Sequence, residues 1–161
     1  MSLSRTVSRP AAIGIAGAVV VAGSLLTVAS AAADDRPLRL STEVIRNTDL
    51  DLGDPGSSAG DTQVFLDDVR RDGRSIGSSV GSCTLAEFTE TRLVGSCTAT
   101  LMLPKGTITV QGAFGETLSE GPAGYVWAVT GGTGRYADAG GEVRGTFRPD
   151  TDIVDLEIHF R

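Results

Sequence analysis

Histidine is nearly absent from this sequence of 161 residues, since His159 is the only one. A zinc site or a histidine-centred catalytic triad needs more than one well-placed ligand or partner, so neither is expected. Asp49, Asp51 and Asp54 lack the remaining spacing and the terminal Glu of an EF-hand calcium loop. We therefore predict that the protein holds no metal ion.

Basic residues are also scarce. The chain has 14 Lys and Arg against 20 Asp and Glu, which gives a net charge of −6. Loss of Arg5 and Arg9 with a cleaved leader would change this charge to −8. An acidic domain repels the phosphate backbone, so nucleic acid is not expected as a partner.

A long apolar run occurs near the start of the chain, at residues 11–28. Arg5 and Arg9 precede it and a series of small residues follows it, which is typical of a secretory signal peptide. We predict that residues 1–33 are removed and that residues 34–161 form one secreted, extracellular domain with no membrane contact. The alternative is an uncleaved membrane anchor, because about 18 apolar residues can just span a bilayer.

Cysteine occurs only twice, as Cys83 and Cys97, each within the tetrapeptide Gly-Ser-Cys-Thr. The midpoint between them is Glu90, inside a polar stretch, so a hairpin centred there places the two cysteines opposite each other. An exported protein meets an oxidising compartment. The sequence therefore predicts a structural disulfide; two free thiols or a reactive cysteine are the alternatives.

No convincing helical pattern follows the leader. Eight short β-rich runs do, separated by turn-forming residues, at 38–45, 62–69, 76–88, 93–103, 107–114, 125–130, 142–148 and 153–160. An eight-stranded antiparallel sheet of this size tends to close, because closure removes exposed edges. We predict an all-β, eight-stranded antiparallel barrel, with a two-sheet sandwich as the alternative.

The segment Gly132 to Ala137 fits the glycine spacing of a dinucleotide-binding loop. That loop must open a helix aimed at the pyrophosphate, and Asp138 to Gly141 would break a helix within one turn. We predict a glycine-rich turn or bulge here and no cofactor.

The chain resembles the allene oxide cyclase barrel and the related dirigent proteins at 107–112 (TITVQG) and 128–143 (AVTGGTGRYADAGGEV). Both families carry a strand ending in V-x-G-G-[TS]-G with an aromatic residue shortly after it. The resemblance implies a calycin-like barrel with an apolar cavity, often trimeric, so a homotrimer is one expectation. The plant cyclases close a cyclopentenone ring on an unstable fatty-acid epoxide, and dirigent proteins orient phenoxy radicals.

The resemblance also implies candidate catalytic residues. The cyclases use a Glu on the first strand with an Asn two residues later; Glu43 matches the Glu, and Ile45 replaces the Asn. Asp67 matches a second cyclase Asn. Because Asp67 and Asp68 are adjacent on a strand, one of them can face the interior as an acid or base. The alternative places both at a solvated strand end.

A ligand cavity is the other candidate site. The inward pattern and the resemblance together predict that it is lined by Phe65, Ile108, Val110, Gly112, Phe114 and Val143. An inward glycine such as Gly112 is expected to leave room for a guest. Tyr125 and Trp127 are either part of the cavity or ordinary core.

These features lead to one main functional hypothesis. The protein is predicted to be a secreted barrel that holds a small apolar molecule and guides its ring closure or coupling, as an isomerase-like enzyme that acts by confinement. A non-catalytic carrier with the same cavity is the first alternative. A structural secreted barrel filled by its own side chains is the second.

Overall fold

Strand pairing closes the domain into a barrel. The computed structural model describes residues 36–119 and 124–161, so the signal peptide predicted at 1–33 lies outside the described residues. Each strand pairs antiparallel with the next, and the eighth pairs back with the first. The strands are β1 Leu38–Leu50, β2 Thr62–Arg71, β3 Arg74–Phe88, β4 Arg92–Leu103, β5 Gly106–Thr117, β6 Tyr125–Gly132, β7 Gly141–Phe147 and β8 Ile153–Phe160. The predicted eight-stranded barrel is confirmed, and the two-sheet sandwich given as the alternative is wrong.

Alternation of side chains along the strands produces one buried and one wet face. In β4, Cys97, Ala99 and Leu101 are buried, while Ser96 and Thr98, on either side of Cys97, are exposed. Successive side chains on a strand point to opposite faces, so the odd-numbered residues of β4 from 97 to 101 face the barrel interior.

The turn between β2 and β3 has the chemistry that its sequence indicates. Asp72 and Gly73 both have positive φ, 52° and 76°, as the tightest hairpin turns require. Arg71 pairs directly with Arg74, so only two residues turn the chain. The pair Asp72-Gly73 is thus a two-residue hairpin turn, and the strands reach further into the charged segment than the predicted limits at 69 and 76.

Strand β1 is longer than the sequence pattern predicts. It was expected to end at Ile45 but continues to Leu50, because the added residues pair with β2. The register shifts between Val44 and Arg46, which makes Ile45 a β-bulge. An inserted residue changes which positions face inwards, so Asn47 enters the interior wall after the bulge.

Helical structure in the described ranges is limited to one turn of 3₁₀ helix, Gly134–Tyr136, between β6 and β7. This is the glycine-rich segment for which a turn was predicted, and one such turn does not provide the helix that a dinucleotide loop needs. Among residues 36–119 and 124–161, no helix has the length and apolar character needed to cross a membrane.

The two ends of the barrel differ. We call the end where β1 begins and β8 ends the closed end, and the other the open end. Towards the closed end, Val69, Ile108 and Ile158 are wholly buried and fill the interior. Ile108 was predicted to line the cavity; its position two residues into β5 instead places it in this packed layer, outside the cavity wall.

Candidate functional site

A cavity of about 760 Å³ occupies the barrel and reaches the open end. This volume lies in the range of cavities that hold small organic molecules, about 300–1,000 Å³. Its wall is mainly apolar and is formed by inward residues of the strands, among them Phe65, Cys83, Leu85, Cys97, Ala99, Leu101, Val110, Phe114, Trp127, Val143, Phe147 and Leu156. Four positions predicted from the sequence are in this wall: Phe65, Val110, Phe114 and Val143.

Glycine and aromatic residues face each other across neighbouring strands at four places in the barrel. The pairs are Gly81 with Phe65, Gly95 with Phe114, Gly112 with Trp127 and Gly145 with Tyr125. A Cβ atom on any of these glycines would overlap the facing ring, so each ring packs directly against glycine backbone. The prediction that Gly112 leaves space for a guest is therefore wrong, since the Trp127 ring fills that space.

The disulfide predicted from the sequence is present. Cys83 and Cys97 are bonded to each other and occupy directly opposite positions on β3 and β4. A bulge between Leu85 and Glu87 shifts the rest of that hairpin but leaves the cysteine pair in register. Both cysteines lie in the cavity wall, so the bridge fixes the two strands at the level where a ligand would sit.

Asp67 places a carboxyl group inside the cavity. It is 8% exposed, lies opposite Ser79 of β3, and its Oδ1 atom has no hydrogen-bond partner among the described residues. Burial raises the pKa of Asp67 to about 6, because the charged form loses its hydration. Asp68 faces outwards, where hydrogen bonds from Ser75 and Arg70 lower the pKa of its carboxyl group. Strand alternation thus gives the adjacent carboxyls two different environments.

Two aromatic side chains add polar groups to the same wall. The rings of Tyr125 and Trp127 are stacked with their centroids 4.0 Å apart. The Trp127 Nε1 atom is buried and lacks a hydrogen-bond partner in the described part of the chain. Burial, with a smaller effect of the Asp67 charge, raises the pKa of Tyr125 to about 12, so its phenol stays protonated. The wall can therefore donate hydrogen bonds to a ligand and accept one from it.

The rim of the cavity is acidic. Besides Asp67, the lining carboxylates are Asp49, Asp51, Asp61 and Glu116. Asp61 accepts hydrogen bonds from the backbone N–H groups of Leu52 (3.0 Å) and Ser58 (2.7 Å), and bonds of this kind lower its pKa. These bonds hold the segment between β1 and β2 as an ordered turn at the rim. Within the described ranges, no three or more His, Cys, Asp and Glu side chains are grouped so as to hold a metal ion.

Residues 41–156 match the family model of the allene oxide cyclase barrel-like domain. The chain belongs to the allene oxide cyclase barrel-like family. No curated protein matches the chain.

Solved structures of similar fold include enzymes and dirigent proteins. Pyocyanin demethylase is 28% identical, with a TM-score of 0.68 over 78% of this chain and 99% of that protein. A Diels-Alderase from Streptomyces koyangensis is 19% identical, with a TM-score of 0.64 over 78% of this chain and 63% of that protein. A pterocarpan synthase dirigent protein is 15% identical, with a TM-score of 0.60 over 78% and 90% of the two chains. The last two likenesses show a shared fold.

In this member of the allene oxide cyclase barrel-like family, Glu43 lies outside the cavity. Its side chain is 40% exposed, and its Oε2 atom is 3.0 Å from Nη2 of Arg70 on the outer face of β2. The structure therefore contradicts the prediction that Glu43 acts on a cavity ligand, because strand alternation turns it away from the interior. The bulge at Ile45 brings Asn47 into the wall instead.

Several polar wall residues were not singled out from the sequence, among them Thr42, Asn47, Gln63 and Ser79. For Thr42 the signal was available, since it alternates in step with buried Leu40. For Ser79 it was weak, because the residues two positions away on the strand are Gly77 and Gly81. For Asn47 it was absent, because its orientation depends on a bulge that no glycine or proline marks in the sequence.

Proposed function

We propose that this protein is a secreted barrel that binds a small, mainly apolar organic molecule in its cavity and guides the ring closure or coupling of that molecule. The observation that carries the proposal is the aromatic cavity with two buried polar atoms, Asp67 Oδ1 and Trp127 Nε1, that lack partners among the described residues. Buried polar groups are normally hydrogen-bonded, so a bound molecule that satisfies them would complete the wall.

The cavity suits catalysis by confinement. A reactive molecule held against flat rings has few conformations available, and the conformation that resembles the ring-forming transition state can be selected by shape. Asp67, with a pKa of about 6, can exchange a proton with the ligand near neutral pH. Tyr125 can donate a hydrogen bond to an oxygen that gains negative charge.

The solved relatives support a small-molecule function of this kind. They include proteins named for a Diels-Alder reaction, for pterocarpan synthesis and for pyocyanin demethylation. One fold that serves three different reactions supports the general proposal without selecting one reaction for this chain. A carrier would share the same cavity and differ only in the absence of turnover.

A pair of alanine variants tests ligand binding. Ala99 lies in the cavity wall, whereas Ala113 is exposed on the outer face of the barrel. Ala99→Leu should weaken the binding of phenolic and uncharged long-chain apolar ligands about tenfold or more, because added methylenes occupy ligand space. Ala113→Leu should leave binding unchanged.

Binding can be followed by calorimetry and by fluorescence of Trp127, the only tryptophan in the chain. Conversion of any ligand that binds is then followed by mass spectrometry, and binding without conversion would favour the carrier. Absence of saturable binding to the wild-type protein would favour the structural barrel over both small-molecule functions.

A further inference from the structure

The charged side chains that line the cavity in the described ranges are all acidic. Asp67 lies in the interior, and Asp49, Asp51, Asp61 and Glu116 lie in the remaining wall and rim, with no Lys, Arg or His among the described lining residues. A cleft lined by charges of one sign, with walls of low dielectric constant, concentrates ligands of the opposite sign.

Bonds within the rim leave these negative charges in place. Asp49 accepts a hydrogen bond from Gln63 Nε2 at 3.0 Å, and Asp51 accepts one from the backbone N–H of Gly56 at 3.2 Å. Neutral donors of this kind carry no positive charge, so they do not cancel the charge of a carboxylate. Several arginines instead pair with carboxylates that do not line the cavity, for example Arg70 with Glu43 and Arg148 with Asp155.

Asp67 provides an independent sign of a missing partner. Its side chain is more than nine-tenths buried, it lines the cavity, and Oδ1 has no hydrogen-bond partner among the described residues. Burial raises its pKa to about 6, so the carboxyl group is ionised in weakly alkaline solution. A buried carboxylate is normally paired, and a positive ligand would supply the counter-ion.

The aromatic walls favour the same ligand. Phe65, Phe114, Tyr125 and Trp127 line the cavity, and the rings of Tyr125 and Trp127 stack on each other. Aromatic rings attract cations through their π electrons, and a desolvated site strengthens this attraction. Flat rings also stack with other flat rings.

We infer that the cavity selects flat aromatic molecules that carry a positive charge, such as N-alkylated heteroaromatic cations, and rejects carboxylates of the same size. The inference rests on the proposed function only in that the cavity must bind a small organic molecule. It narrows the class of ligand by charge.

Three probes of equal ring size test this inference: N-methylacridinium, acridine, which is neutral at pH 8, and acridine-9-carboxylate. Binding to protein purified from expression of the full chain is measured by calorimetry at pH 8 and low ionic strength. N-methylacridinium should bind at least about tenfold more tightly than acridine, and the carboxylate should not saturate the protein. Added salt should weaken binding of the cation and leave that of acridine nearly unchanged.

Two adjacent variants localise the effect. Asp67→Asn should lower the affinity for N-methylacridinium about tenfold and change that for acridine less than about threefold, which also shows that the cavity is intact. Asp68→Asn removes an equal charge from the outer face and should alter neither affinity. Equal binding of cation and neutral probe, or tighter binding of the carboxylate, would overturn the charge selectivity and leave the cavity function standing. Failure of all three probes to bind would overturn both.

Discussion

Replacement of Asp67 by Asn should stabilise the protein at neutral pH. The side chain is buried, and its carboxyl group has an atom without a hydrogen-bond partner in the described part of the chain. Asn has nearly the same size but carries no charge. The variant therefore removes the cost of burying a carboxylate while it keeps a polar group in the wall.

The size and direction of the effect follow from the two pKa values. An unfolded aspartate ionises near 3.8, whereas folded Asp67 ionises near 6. Below 3.8 both states hold the proton, so the carboxyl group adds no cost. Between the two values only the unfolded state is ionised, and the wild type loses stability as the pH rises. Each pH unit in this interval is worth about 1.4 kcal/mol, so the loss above pH 6 is about 3 kcal/mol.

Urea unfolding of the oxidised protein, followed by Trp127 fluorescence between pH 4 and pH 8, measures this effect. The free energy of unfolding of Asp67→Asn minus that of the wild type should rise across the interval and level off above pH 6. Asp68→Asn is the matched control. Its carboxyl group has a lowered pKa, so its loss should destabilise the protein at neutral pH and matter less as the pH falls.

A difference between Asp67→Asn and the wild type that does not change with pH would refute this reasoning. It would mean that Asp67 is solvated in the folded protein, and that the cavity does not isolate its carboxyl group from water.

Three further outcomes are expected. Gly112→Ala should lower the free energy of unfolding by about 1–3 kcal/mol, because the added Cβ atom would overlap the Trp127 ring. The control Gly115→Ala has room for a Cβ atom and should change the free energy of unfolding by less than about 0.5 kcal/mol. Equal effects of the two variants in urea unfolding would contradict the ring packing. Reduction of the Cys83–Cys97 bridge, which spans a sequence separation of 14, should cost about 3 kcal/mol, and thiol labelling without reductant should give no signal unless the bridge is absent. N-terminal sequencing of exported protein should start near Asp34, and an intact first residue in a membrane fraction would contradict the signal peptide.

The barrel could be predicted from the sequence because its determinants are local. Alternation within one strand defines the inner face, and the pair Asp72-Gly73 defines a two-residue turn. Cys83 and Cys97 lie at equal distances from Glu90, so their spacing predicts the pairing, and a bulge between Leu85 and Glu87 sets the register that places them opposite each other. Each of these signals needs only a few neighbouring residues.

The site was less predictable because it depends on pairing between strands. Within the sequence of β5, Gly112 suggests an unfilled volume in the barrel interior. The packing of β6 against β5 shows that the Trp127 ring fills this volume. Asn47 reads as part of a loop, and only the pairing of β1 with β2 shows that a bulge turns it inwards. Alternation along β1 puts Glu43 on the strand face opposite to Leu40 and Val44. For Glu43 this local pattern predicted the observed outward orientation, whereas the resemblance to cyclases predicted a catalytic position.

The closure of the barrel has a consequence for how the chain folds. Every strand pairing except that of β1 with β8 joins strands that are consecutive in sequence. Hairpins can therefore form early, but the final pairing must bring Leu38 to Ile158 from nearly opposite ends of the described chain, which makes it the slow, long-range step. Until β8 pairs with β1, both edges of the sheet have unpaired backbone groups and can bind a strand from another molecule. During synthesis, the pairing of β8 with β1 thus marks the point at which the open sheet edges are no longer available for aggregation.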